Sequence, residues 1–142
     1  MAARYTSVAP QTVGALQNVL FTDTTCEGNC SILHRSGSGI VTLRGLTNNQ
    51  CRARFHVSFG GNIAIPTGED VGPISIAIAI GGEADASTTM IETPAAVDEY
   101  NNVSSTTYVD VPAGCCMNIS VKNVSTIPIL VQNVNLEIER VS

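Results

Sequence analysis

Short runs in which apolar and polar residues alternate occupy most of the chain. In RARFHVSF, residues 52–59, every second side chain from Ala53 onward is apolar, and the residues between them are Arg, His or Ser. Residues 117–121 and 134–138 repeat this spacing with Met, Ile, Val and Leu. A period of two places successive side chains on opposite faces of an extended chain. The pattern therefore predicts β-strands with one face in a core and the other in water.

The stretch PISIAIAIGGE, residues 73–83, has an unusual second face. Its four isoleucines share one side of an extended strand, and the other side carries only Ser75, Ala77 and Ala79. Four isoleucines at a strict period of two would spread around a helix, so the pattern predicts a strand. Small side chains permit close approach of another sheet, and we expect this face to be an interface with a second copy. The alternative is that a loop or the N-terminal segment of the same chain covers it.

Glycine and proline divide the pattern into short pieces. Turn signals recur roughly every 8 to 14 residues, as is typical of sandwiches and barrels. The sequence predicts an all-β fold, an antiparallel jelly-roll sandwich of about eight to ten strands over residues 19–142. Residues 95–103, AAVDEYNNV, are expected to form one helical turn.

The first 18 residues lack a regular period. We expect residues 1–18 to form an N-terminal arm that docks on a neighbouring sheet edge or attaches the subunit to a larger shell. A frayed tail is the alternative. The apolar residues that would make the contact are Tyr5, Val8, Val13 and Leu16.

Five cysteines are present, so at least one has no partner within the chain. Cys26 and Cys30 have a spacing that suits a loop disulfide or, with His34, part of a zinc site that Cys51 or His56 would complete. Reduced, packed thiols are the third alternative. The neighbours Cys115 and Cys116 are expected to point one inward and one outward.

Charged residues make up only 13% of the chain, and the formal net charge is −5. Uncharged polar surface loses less than ionic surface does on desolvation, which favours contact with other protein copies. Nucleic acid and anionic membranes are not expected partners, because both attract patches of Lys and Arg. The segment MAARYTSVAPQTVGALQ lacks the apolar centre of a signal peptide, and no run is long enough for a membrane span.

Catalysis and cofactors are not predicted. His34 or His56, Asp98 or Asp110 and many serines exist, but no local signature joins them into a nucleophilic site. His56 falls on the polar face of its strand and is expected to be a surface residue. The loop carboxylates, Glu69 and Asp70 among them, form no calcium-loop pattern.

Three stretches together resemble the C1q/TNF-like jelly-roll domains, including the BclA C-terminal-like group. They are PISIAIAIGGEADAST, TYVDVPAGCCMNISVKNVS and the closing VNLEIERV, within residues 40–141. Cys115 stands where an acidic residue is common in that group, and there is no collagen-like Gly-X-Y tract. The stretches ARYTSVAPQTV and HRSGSGIVTLRG resemble proteins of gut Firmicutes and their prophages. The resemblance implies a trimer in which three sandwiches pack around a threefold axis.

The expected function is that of a noncatalytic structural protein. The first hypothesis is a trimeric bacteriophage virion protein that decorates a capsid, contacts the major capsid protein and is assembled in the bacterial cytoplasm. The second is a bacterial surface, spore-coat or fibre subunit of the same fold, located at the cell surface. The third is a glycan-binding module, although no Trp and only 3 Tyr are present to stack on sugars.

Overall fold

The computed structural model describes residues 2–26, 31–35, 37–46 and 51–141. These residues form two antiparallel β-sheets that face each other, and one short 3₁₀ turn at Ala86–Thr88. The strands are β1 (Ala2–Ser7), β2 (Gln11–Val13), β3 (Asp23–Cys26), β4 (Ile32–His34), β5 (Val41–Arg44), β6 (Arg52–Ala64), β7 (Ile74–Ile80), β8 (Glu83–Ala84), β9 (Met90–Glu92), β10 (Asn101–Pro112), β11 (Cys116–Asn123) and β12 (Ile129–Arg140).

Within the described residues, each sheet has six strands. Sheet A has the order β10-β6-β12-β1-β3, with β2 also paired to β12. Sheet B has the order β4-β5-β11-β7-β8, with β9 also paired to β7. Neighbouring strands are mostly far apart in sequence, and β1 pairs with β12 along its whole length. This connectivity is a jelly roll, and it confirms the predicted all-β class.

The core lies between the two sheets and is built as the alternation predicted. On β6, Ala53, Phe55, Val57 and Phe59 are all buried, and their neighbours are half-buried or exposed. The opposite wall of the core comes from β7, whose isoleucines 74, 76 and 78 are buried. The rings of Phe21 and Phe59 meet edge to face, with centroids 6.5 Å apart. One apolar face per strand is therefore enough to close the sandwich.

The N-terminal segment is part of the sandwich, which corrects the expectation of an arm over residues 1–18. Strand β1 lies between β12 and β3 and is paired on both edges. Strand β2 extends the same sheet along β12, and Tyr5 and Val13 are each 2% exposed. The apolar residues are spaced irregularly because two short strands and a turn share this segment. Val8 and Leu16, in contrast, are 64% and 70% exposed.

One local expectation also changes. Residues 95–98 form bends and a turn, and residues 101–103 already belong to β10, so the helical turn expected over 95–103 is absent. A turn of 3₁₀ helix occurs instead at Ala86–Thr88, capped by the Asp85 side chain. Thr88 is buried there, and its hydroxyl accepts from the N–H of Ile78 and donates to the carbonyl of Ile78. This hydroxyl thus makes the hydrogen bonds that a neighbouring strand would otherwise make.

The small face of β7 is already covered within one chain. Ala77 and Ala79 are fully buried, and Ser75 is half-buried. Lys122 lies directly across from Ala77 and donates from its ammonium to the carbonyl oxygen of Gly82, at 2.8 Å. Because directly paired residues share a face, the aliphatic stem of Lys122 follows the small residues toward the end of β7.

Candidate functional site

The outer surface of sheet A is the broad face that we consider as a functional site. We call it the sheet A face. The side chains that point outward from it alternate with the buried residues of four strands. They include Asn102, Ser104, Thr106, Tyr108 and Asp110 on β10; Arg52, Arg54, His56, Ser58 and Asn62 on β6, where Gly60 occupies an outward position without a side chain; Asn135, Glu137 and Glu139 on β12; and Arg4 on β1.

One half of the sheet A face carries no charge. Ser104 lies across from Gly60, which lies across from Asn135, and Thr106 lies across from Ser58. Asn102 bridges to β6 by donating to the carbonyl of Gly61, at 3.2 Å. The residues in this half are mostly small, since they are Ser, Thr and Gly. Because none of these residues is charged, covering them with another surface does not cost the hydration free energy of an ion.

The other half is charged, but much of its charge is paired within the chain. Arg54 donates two hydrogen bonds to Asp110, at 2.8 and 3.3 Å, and Arg52 is 3.4 Å from the same carboxylate. The hydrogen bonds from Arg54 lower the pKa of Asp110, and in turn Asp110 raises the pKa of Arg54. Arg4 pairs with Glu137 at 3.3 Å. This half therefore presents neutral pairs more than free ions.

A shallow cavity of about 450 Å³ opens in the charged half. Its lining includes Arg4, His56, Glu137 and Glu139 of the charged half, and Ser58 at the border with the uncharged half. The ring of His56 lies 5.1 Å from the ring of Tyr108, which is 64% exposed. His56 is thus on the polar face of its strand, as the alternation predicted.

Strand β10 forms one edge of the sheet A face. In the part of the chain that the structure describes, β6 is the strand that pairs with β10, over all 12 residues and without a register shift. No described strand is hydrogen-bonded to the other edge of β10. Its sequence, NNVSSTTYVDVP, contains no Lys or Arg, and its proline is at the end. Long, regular edges of this kind pair readily with another chain.

A second feature lies at the strand ends, where two hydrogen-bonded connections carry three cysteines. Cys51 precedes β6, Cys115 precedes β11 and Cys116 begins it, and all three are exposed and free. This corrects the expectation that one of the adjacent pair points inward. Cys115 belongs to a turn, in which its N–H donates to the carbonyl of Pro112, so the alternation of a strand does not yet apply there.

The proposed Cys26–Cys30 disulfide lies outside the described residues. The backbone of Cys26 ends β3, and its side chain and Cys30 are in the part not described. Among the residues that are described, no group of three or more His, Cys, Asp or Glu side chains could hold a metal ion.

The remaining site residues from the sequence are not brought together. His34 is in β4, where its Nε2 bonds the carbonyl of Ser38 and its ring lies 4.4 Å from Tyr5. The hydroxyl of Thr67, in the loop after β6, donates a hydrogen bond to the carboxylate of Asp98, in the loop before β10. The carboxylate of Asp110 accepts a hydrogen bond from Arg54. An interface role for Ser75, Ala77 and Ala79 stays a prediction, as does a docking role for Val8 and Leu16. No helix within the described ranges is long and apolar enough to span a membrane.

Comparison with known proteins identifies the fold. The globular domain of zebrafish complement 1qA protein is similar with a TM-score of 0.70 and 11% identity, over 99% of this chain and 97% of that one. Eiger TNF from S. frugiperda gives 0.66 and 10%, over 100% and 92%. Murine APRIL gives 0.64 and 9%, over 99% and 100%. No protein-family model and no curated protein sequence matches. The chain has the C1q/TNF-like jelly-roll fold, as the sequence resemblance implied.

Proposed function

We propose that this chain is a noncatalytic structural protein that assembles as a homotrimer and decorates a bacteriophage virion. The observation that carries the proposal is the free edge of β10 beside the uncharged half of the sheet A face. The edge runs along 12 residues and offers the backbone donors and acceptors that do not pair with β6, and the face beside it carries small uncharged residues. A second copy of the chain would hydrogen-bond to this edge and cover the face beside it.

The composition of this surface supports assembly over a free existence in solution. Edges that stay exposed are usually short, bulged or guarded by Lys and Pro. In β10 the one charged residue is Asp110, which is already held by Arg54. Covering this edge therefore leaves no unpaired charge in β10. The C1q/TNF-like fold supports three copies around an axis as the arrangement.

The virion role is supported by the resemblance to prophage proteins and by two exposed apolar residues. Val8 and Leu16 belong to the segment that was expected to attach the subunit, and they remain accessible although Tyr5 and Val13 of the same segment are buried. We propose that these two residues contact the shell. In this proposal Val8 and Leu16 make the contact with the shell, and the rest of residues 1–18 does not.

Assembly is tested with Thr106→Arg, which places a cation on β10 in the uncharged half. Light scattering after size exclusion should give three times the 14.8 kDa of one chain for the wild type and a monomer for the variant. Thr126→Arg, at an exposed site in the loop between β11 and β12, is the matched control and should stay trimeric. A monomeric wild type, or a trimeric and folded Thr106→Arg, would contradict the proposal.

The virion role is tested on phage particles from the source strain. Antibody to this chain should label the heads in electron micrographs, and Val8→Asp with Leu16→Asp should prevent binding of the trimer to stripped heads. Val71→Asp, at a loop position 52% exposed, is the control and should bind. Label on the cell envelope would favour the surface-subunit alternative instead.

A further inference from the structure

Three exposed thiols occupy one end of the sandwich. The carbonyl of Cys51 accepts from the N–H of Ala113 at 3.0 Å, and the carbonyl of Cys115 accepts from the N–H of Gly45 at 2.8 Å. Gly45 also approaches Pro112 so closely that a Cβ there would collide with the proline carbonyl oxygen. The connection between β5 and β6 is thus held to the connection between β10 and β11 at two points, Gly45 and Cys51. We call Cys51, Cys115 and Cys116 the thiol end.

The exposure of these cysteines calls for a reason other than packing. Cysteine is among the residue types most often buried, and a free surface thiol is open to oxidation. All three cysteines whose side chains are described are exposed and unpaired. They do not contribute to the core, and no metal-binding group of three is present among the described residues.

Disulfide bonds within the thiol end of one chain cannot consume all three of its thiols. Cys115 and Cys116 are consecutive, so their Cα atoms are about 3.8 Å apart, below the usual separation of roughly 4.4–6.8 Å in a disulfide. If Cys51 paired with one of them, the other would remain. An odd number of thiols at one end therefore leaves at least one available to another molecule.

We propose that the thiol end is a site at which two copies of this chain meet end to end and become joined by a disulfide bond. A twofold contact brings the same surface of two copies together, so one exposed thiol per copy is sufficient. The end lies at the tips of β5, β6, β10 and β11 and leaves the sheet A face free. The bond would therefore join trimers to each other, in addition to the contacts within a trimer. The proposed disulfide bond between two copies does not depend on whether the proposed trimer forms.

The chemistry is thiol–disulfide exchange with a small-molecule disulfide such as oxidised glutathione. A thiolate of one copy attacks the small disulfide, the S–S bond breaks, and one small thiol leaves. The thiolate of the second copy then attacks the mixed disulfide and releases the second small thiol. Two protein thiols are oxidised to one disulfide, and one small disulfide is reduced to two thiols.

The experiment is a time course with oxidised glutathione, read on a nonreducing gel. The wild type should form a covalent species of two 14.8 kDa chains that disappears with reductant. The variant with Cys51→Ser, Cys115→Ser and Cys116→Ser should stay monomeric on the gel. The Cys26→Ser, Cys30→Ser variant keeps the thiol end and should cross-link like the wild type.

A relocated thiol controls for random collision. Thr126→Cys in the triple-serine background places an exposed thiol in a different loop, and it should cross-link at least ten-fold more slowly. Equal rates, a wild type that forms only intrachain bonds, or cross-linking that survives in the triple-serine variant would each overturn the proposal. Size exclusion under reductant reports the trimer separately, so failure of one proposal is distinguishable from failure of the other.

Discussion

Asn123, at the end of β11, shows how one buried polar residue organises loops of this sandwich. Its side chain is fully buried and donates to the carbonyls of Val13, Gly14 and Ile127, at 3.0, 3.2 and 3.0 Å. Its Oδ1 accepts from the N–H of Ser125 at 2.9 Å. The residue thus joins the segment after β2 to the connection between β11 and β12.

Replacing Asn123 by alanine should destabilise the fold strongly. Buried carbonyls would lose their donor, and the expected loss in the free energy of unfolding is about 2–4 kcal/mol. Urea denaturation followed by circular dichroism measures it. Asn118→Ala removes an exposed amide that bonds Thr42, and this control should change stability by less than about 0.5 kcal/mol. Equal losses in the two variants would contradict this account.

Asp110 contributes stability that depends on pH. Its hydrogen bonds from Arg54 hold the pKa of the carboxyl below its usual value, so the folded state favours the ionised form. The contribution is present above the unfolded pKa of about 3.9 and is lost as pH falls through the folded pKa. We therefore expect Asp110→Asn to lower the melting temperature at pH 7, and the difference from the wild type to shrink below about pH 4.

The control for this pH dependence is Asp70→Asn, in an exposed loop after β6. It should show neither the loss at pH 7 nor the convergence in acid. Thermal melts at several pH values measure both variants. A difference between Asp110→Asn and wild type that stays constant down to strong acid would show that the pair with Arg54 does not stabilise the fold.

At the scale of elements, β1 and β10 differ most from their appearance in the sequence. In β1, only Ala3 and Tyr5 carry the buried apolar pattern, and six residues are too few for a clear period. In β10, the inward positions 105 and 107 are Ser and Thr, which hides the alternation of its first half. Long-range pairing with β12 and β6 makes both segments strands, and pairing partners are not visible in a local pattern.

Deletion of residues 2–7 should abolish the fold. It removes a strand that is paired on both sides, exposes an edge of β12 and takes Tyr5 out of the core. The deletion variant should show no cooperative thermal transition by circular dichroism. Arg4→Ala, which keeps the strand and removes one exposed ion pair, should melt cooperatively. A cooperative melt of the deletion variant would mean that the segment behaves as an arm after all.

The strand β7 changes how the interface hypothesis is to be tested. Ala77 is fully buried inside one chain, so a carboxylate at this position would disturb folding before it could report on assembly. Positions on β10 do not have this difficulty, because Ser104 and Thr106 are exposed. The test of assembly therefore belongs on β10.

At the scale of the whole molecule, a chain of net charge −5 presents an uncharged surface at the proposed contact. Association through such a surface should depend weakly on salt, because few ions are screened or released. We expect the dissociation constant of the trimer to change by less than about three-fold between about 0.05 and 0.5 M NaCl. Analytical ultracentrifugation measures it, and a change of ten-fold or more would place charged groups in the contact.

The sequence by itself determined the fold class and the main core. Strict alternation in residues 52–59 and 134–138, and isoleucines at every second position of β7, require strands with one buried face. These are local properties, set by the geometry of an extended chain. The same reasoning placed His56 on the polar surface.

Only the tertiary structure decided which strands are neighbours and which surfaces remain open. The position of β1 between β12 and β3, the covering of Ala77 by the chain itself and the free edge of β10 depend on pairing between distant segments. The position of Cys51 near the turn that carries Cys115 has the same origin, because the connection between β5 and β6 and the connection between β10 and β11 converge there. Such contacts arise when the sheets close on each other, and no period along the chain encodes them.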